Sequence, residues 1–320
     1  MKTTIKLLKQ RKGKSNLSIR PAISTRIASP TLEGAGVHLH RAFGFNQPEL
    51  FDPFLLFDDF RNDDPEAFAG GFPWHPHRGI ETITYVLNGT VNHSDSLGNI
   101  GKLDAGDIQW MTAGSGIMHQ EMPTGNVKGQ MHGFQLWANL PGSLKMTSPR
   151  YQDVGGAEMP EMTDDDGTIV KVITGEFWGR RGPVDGIAAD PLYLDITIPA
   201  SCQKSFKVDT YRNTFAYVFE GAGKFADASS PKGVLLEKEV LGQELNIRDM
   251  SGNRTLVQFG TGDEIVVRAG PKGLRFLLVA GTPIQEPVAW HGPIVMNTKE
   301  ELQQAFSDLR NNRFIKPKDH

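Results

Sequence analysis

Apolar and polar residues alternate along much of this chain with a period of two. Thr82-Ile83-Thr84-Tyr85-Val86-Leu87 runs into Asn88-Gly89, a turn signal between strands. The same pattern predicts strands at Gly133 to Asn139, Leu192 to Ile198, Thr214 to Phe219, Glu264 to Arg268 and Arg275 to Val279. Strands this short and frequent predict a barrel or sandwich. A helical period is found near the C-terminus. There Thr298 and Glu301 form a capping box, and Leu302, Ala305, Phe306 and Leu309 fall on one face as a packing stripe.

The pattern occurs twice. Thr84 to Gly89 is followed by Leu103-Asp104-Ala105-Gly106-Asp107, Ala113-Gly114 and Phe134 to Ala138. Ala216 to Gly221 is followed, at similar spacing, by Phe259-Gly260-Thr261-Gly262-Asp263, Ala269-Gly270 and Arg275 to Ala280. Two copies of one β-barrel unit explain this economically. The fold class expected is all-β, two barrels with a short C-terminal helix. The expected divisions are a tail over 1–24, a first barrel over 25–150, a linking region over 151–186, and a second barrel with the helix over 187–320. Asp164-Asp165-Asp166 in the link reads as a solvated loop, since its spacing fits no EF-hand calcium site.

Composition narrows the class. The chain has 320 residues, 38% hydrophobic and 22% charged, which suits a globular protein of two domains. A net charge of -3 gives no general attraction to nucleic acid or an anionic membrane. The first twenty residues carry Lys2, Lys6, Lys9, Arg11, Lys12, Lys14 and Arg20. They read as a solvated tail, with a nucleic-acid arm as the alternative. Charge follows Ile5, Leu7 and Leu8 too closely for a signal peptide, and no run approaches the roughly 18 apolar residues of a membrane span. The one cysteine, Cys202, allows no intrachain disulfide. These features fit a reducing, cytoplasmic compartment.

The chemistry concentrates in the first copy, in Phe72-Pro73-Trp74-His75-Pro76-His77-Arg78-Gly79-Ile80-Glu81. Residues i and i+2 of a strand share a face, so His75 and His77 can aim both imidazoles at one point. Pro76 lacks an N–H and places this segment at a sheet edge. His119 and Glu121, in Ile117-Met118-His119-Gln120-Glu121, repeat the spacing. Two such pairs on neighbouring strands would surround one ion with three imidazoles and one carboxylate. That set suits Fe(II), Mn, Ni, Cu or Zn. Glu81, four residues after His77, competes with Glu121 for the carboxylate role. His38-Leu39-His40 lacks the glycine frame and the following Glu and reads as a strand pair, while His132 and His291 read as structural. Aligning Tyr217 on Tyr85 puts Lys207 and Asp209 where His75 and His77 stand, so the second barrel is expected to be metal-free.

Long stretches resemble the pirin family of the cupin superfamily. They are Leu50 to Phe60, Phe72 to Gly79, Gly106 to Gly114, Ile117 to Pro123 and His291 to Thr298, and the likeness runs from about 25 to 314. The resemblance implies two cupin barrels, a bicupin, with one divalent ion in the N-terminal barrel. Iron is the first choice, and the ligands carried over are His75, His77, His119 and Glu121. It thereby assigns the carboxylate to Glu121 and leaves Glu81 as a supporting residue beside the site. Some pirins act as quercetin 2,3-dioxygenases, and others are redox-sensitive partners of transcription regulators. The resemblance therefore implies a small aromatic substrate such as a flavonol, with O2, or a protein partner. Phe72, Trp74, Met111 and Met118 are candidate walls for a flat substrate, with core packing as their alternative role. Glu121 is the candidate catalytic base.

Overall fold

The fold was taken from a computed structural model, which describes residues 17–45, 47–226, 239–240, 243–244 and 250–316. Two β-barrels lie back to back. The first is built from two sheets. Its larger sheet has the order Arg150–Val154, Ile108–Thr112, Ile80–Asn88, His132–Asn139, Phe54–Asp59, Val37–Phe43, Ser29–Glu33. Its smaller sheet has the order Phe72–His77, Ile117–Thr124, Thr90–Asp95, Ile100–Leu103. The second barrel centres on two long, bent strands, Asn213–Phe225 and Glu264–Gly281. The two strands expected at Glu264 to Arg268 and Arg275 to Val279 are the ends of that one bent strand. The helix forms over Lys299–Arg310, with Thr298 and Glu301 closing the expected capping box.

Strand pairing crosses the expected domain boundaries, because both chain ends cross over. Ala22–Ile27 is an edge strand of the second barrel, paired with Thr255–Phe259. Just before it, the Ser18 backbone N–H and hydroxyl both donate to Asp263. Arg20 is fully buried and donates to the carbonyls of Asp209, Arg212 and Gly262 and to Thr214. A buried guanidinium needs such a set of acceptors, and this one fixes the start of the chain. The solvated tail is therefore not a tail from residue 18 onward, and residues 1–16 lie outside the described residues. The linking region also dissolves into the barrels. Arg150–Val154 pairs in the first, while Glu161–Thr163 and Ile169–Thr174 pair in the second. Lys204 caps the acidic turn between those two strands by pairing with Asp164 and Asp166. The C-terminal segment returns to the first barrel, where its helix packs through Ala305 with Ile294, Met296 and Phe314.

The second barrel is filled. Phe206, Val208, Ile265 and Val267 point inward among Val170, Leu194, Ile196 and Phe276. Lys207 is exposed, so the alignment of Lys207 and Asp209 on the histidines is displaced by one residue. A slip of one exchanges the two faces of a strand, and the inward positions here carry an aromatic and a valine with no ligand atoms.

Between the barrels lies a core drawn from both, including Phe57, Trp110, Phe134, Phe215, Tyr217 and Val279. Two buried aspartates cross it reciprocally. Tyr85 of the first barrel donates to Asp195 of the second (2.9 Å), which Arg275 grips through both carboxylate oxygens. Tyr217 of the second donates to Asp59 of the first (2.9 Å), which Arg61 holds. Burial and the facing carboxylates push both phenols well above their ordinary range, so each remains a donor. Replacing Asp195 by Ala should destabilise the protein by about 3 kcal/mol, because it strands Arg275 and Tyr85 together. Tyr85→Phe, which leaves the Asp195–Arg275 pair intact, should cost only about 1 kcal/mol. Chemical denaturation of both variants checks this order.

Candidate metal centre

The smaller sheet of the first barrel assembles the site. In its antiparallel register His119 stands opposite His75, and Ile117 opposite His77. Alternation then points all three imidazoles inward, with one ring nitrogen of each within 4.8 Å of the others. Ring centroids are 4.3 Å apart for His75–His119, 4.8 Å for His75–His77 and 4.9 Å for His77–His119.

Two backbone carbonyls fix the tautomers. His75 Nδ1 lies 2.8 Å from the Pro73 carbonyl, and His77 Nδ1 lies 3.1 Å from that of Pro293. A carbonyl only accepts, so both Nδ1 atoms carry protons and both rings turn Nε2 towards the site. Those Nε2 atoms are 3.1 Å apart. Burial holds His77 and His119 well below the ordinary histidine pKa, so these two rings are neutral at pH 7. Among the described residues neither ring nitrogen of His119 has a hydrogen-bond partner, although the residue is fully buried. Converging ring nitrogens and an orphaned buried imidazole fit a shared cation, and nitrogen donors without thiolate fit a borderline transition metal.

Glu121 is on the inward face of the same strand, but its carboxylate is not within the three-histidine group. Glu121 stands opposite Phe72, because a bulge in the partner strand between Phe72 and His75 shifts the register there. The carboxylate accepts from Thr84 Oγ1 (2.7 Å) and Gln135 Nε2 (2.9 Å), residues that face each other on neighbouring strands of the larger sheet.

Two family models cover the chain, Pirin over residues 36–138 and the Pirin C-terminal cupin domain over 193–315. A pirin-like protein of Caulobacter vibrioides is 42% identical over 299 residues, spanning 93% of this chain and all of that one. The chain belongs to the pirin family. The pirin of Homo sapiens is 39% identical over 87% of this chain and 88% of its own length. Among solved structures, a quercetin 2,3-dioxygenase from Acinetobacter baumannii superposes with a TM-score of 0.78 at 27% identity. That match covers 92% of this chain and 98% of the other. Both barrels are cupin domains, and the fold is the expected bicupin.

Several residues expected at the site of this pirin lie elsewhere. Gly79 breaks the strand at φ +78°, and Ile80 begins a strand of the other sheet. Glu81 therefore shares a face with Ile83 and Tyr85, opposite to Thr84, and accepts from Thr112 Oγ1 (2.7 Å) rather than supporting a histidine. The alternation that unites His75 with His77 turns Trp74 to the outer face, and Met118 likewise beside His119, while Phe72, beyond the register shift, stands opposite Glu121. Phe72 packs against a separate cluster with Val37 and Leu39. Met111 does face inward but is wholly buried with Leu55, Ile117 and Val295, which leaves it no surface for a substrate.

Other residues approach the histidines instead. Trp137 meets His77 edge to face at 4.9 Å, and Trp290 lies 6.2 Å beyond Trp137. His93, fully buried, has its ring 5.3 Å from His119. His93-Ser94-Asp95 carries the same i, i+2 signal as the ligand pairs, so this neighbour was readable in the chain. Trp137, Trp290 and Pro293 left no local signal, because only folding brings them to the site.

Burial raises the pKa of Glu81 from 4.5 to about 7. Between those values the native state holds a proton that the unfolded chain lacks. Its contribution to stability is complete below the unfolded pKa and is lost as pH rises through 7. Glu81→Gln keeps an acceptor for Thr112 and removes the charge. Relative to the parent, this variant should gain on the order of 2 kcal/mol in stability between pH 5 and pH 8, as read from urea unfolding at both values.

Proposed function

We propose that this pirin is a metal-dependent dioxygenase of the cytoplasm that cleaves quercetin or a related flavonol with O2. It would use one divalent ion, iron first, held by His75, His77, His119 and Glu121. The observation that carries this reading is the convergence of ring nitrogens of His75, His77 and His119 within 4.8 Å of one another, with His119 lacking a hydrogen-bond partner among the described residues. The name of the Acinetobacter baumannii neighbour supports the substrate class. The ion, when bound, supplies Lewis acidity towards a substrate oxygen and redox chemistry with O2.

The chain's own residues supply the rest. Glu121 is the proposed general base for the flavonol 3-hydroxyl, with Thr84 and Gln135 as donors that hold its carboxylate in place. Trp137, set against His77, offers the flat apolar wall that Trp74 and Met118, on the outer face, do not. Burial of His77, His119 and Glu121 keeps bulk water from the reacting oxygen.

A second reading has one observation behind it. Trp74 is half exposed on the outer face of the strand that carries His75 and His77. An exposed tryptophan on a ligand-bearing strand suits a regulator whose protein partner senses the state of the ion. Among the described residues no helix is long and apolar enough to cross a membrane.

Element analysis of the purified protein should find one metal per chain, and His75→Ala should lose it. Equal metal content in both would sink the assignment. Glu121→Gln should lower quercetin-dependent O2 uptake by at least about 100-fold with metal retained, within the usual range for removal of a general base. A metal-loaded parent that consumes no O2 with quercetin would leave the regulatory reading standing.

A further inference from the structure

The residues after the second ligand do not serve the ion directly. Arg78 and Gly79 dock the C-terminal segment, whose hairpin runs over Ala289–His291 and Ile294–Met296. The Val295 N–H donates to the Arg78 carbonyl (3.1 Å). A Cβ at Gly79 would stand 2.0 Å from the Val295 carbonyl oxygen, so the segment can pass only over a glycine. Farther along, Arg78 reaches Asp308 (3.0 Å) and the Phe314 carbonyl (2.9 Å). The same segment supplies the Pro293 carbonyl that holds His77 Nδ1.

One side chain joins these parts. Lys145 is buried, and its ammonium donates to Gly79 O (2.9 Å), Asn139 Oδ1 (2.7 Å) and Val295 O (3.0 Å). Three acceptors match the three N–H bonds of an ammonium. A buried lysine with its whole donor set spent on two backbone carbonyls and one amide is a clamp between the ligand strand and the C-terminal segment.

We propose that Lys145 is a positioning residue of the metal centre: by fastening the C-terminal segment to Gly79 it keeps the Pro293 carbonyl on His77 Nδ1, and so sets metal affinity without touching a ligand. The inference rests on reading the three histidines as metal ligands. It gives an effect opposite in sign to simple electrostatics. A nearby cation disfavours a bound metal ion, so loss of its charge alone would tighten binding. Loss of a group that orients a ligand weakens metal binding by roughly 10- to 100-fold.

The test uses the full-length chain and Co(II). Affinity is measured by chelator competition, and the paramagnetically shifted Nδ1–H protons of His75 and His77 are followed by NMR, told apart with His75→Gln. Lys145→Met should bind Co(II) at least about 10-fold more weakly, with the His77 Nδ1–H exchanging faster and that of His75 unchanged. Equal or tighter binding with both protons intact overturns the positioning role and leaves the metal site standing. A parent chain that binds no Co(II) overturns the site and the inference with it. Should Lys145→Met fail to fold, Lys145→Gln, which keeps two donors, is judged by the same two readouts and the same thresholds.

Discussion

The Nε2 atoms of His75 and His77 face each other 3.1 Å apart, a geometry that a cation bound to both would stabilise. Keeping them there requires external restraint, and much of the first barrel supplies it. The Pro73 carbonyl pins one ring from within its own strand, and Pro293 pins the other from more than 200 residues away. The antiparallel register sets His119 opposite His75, and Thr84 and Gln135 hold Glu121 from the larger sheet. A site assembled this way is preorganised for a cation, because the orientation of its ligands is fixed by folding before any ion arrives.

The second barrel contributes as a packed body. Its inward positions hold Phe206, Val208, Ile265 and Val267. What it gives the first barrel is a rigid back wall. The reciprocal Tyr85–Asp195 and Tyr217–Asp59 bonds exchange one donor and one acceptor in each direction across an otherwise apolar core. Such buried polar bonds add direction to a contact that apolar packing alone would leave free to slide. The crossed chain ends act to the same effect. Each terminal segment is anchored in the opposite barrel, so neither barrel is a contiguous stretch of sequence.

Alternation within strands explains both why His75, His77 and His119 converge and why Trp74 and Met118 do not join them. The rule that places His75 and His77 together also sends Trp74 away from them. Met111 obeys the rule but is covered by Val295 of the returning segment. The aromatic side chain beside the ligands, Trp137, comes from the other sheet, and Trp290 comes from the far end of the chain.

Features that depend on neighbours within a strand or a helical turn were legible in the chain alone. Period two located the strands, the i, i+2 spacing located three imidazoles on one face, and the capping box located the helix, because each is a local consequence of backbone geometry. The long motifs likewise carried the family and its two cupin barrels. Folding in three dimensions settled where the domains divide, which side chains approach the histidines and what Arg78, Gly79 and the segment after His291 are for. Those depend on pairings between residues up to about 245 positions apart, such as Ser18 with Asp263 and Arg78 with Phe314. No local pattern encodes such a pairing. It arises from which surfaces the whole chain can bury together with their hydrogen bonds satisfied.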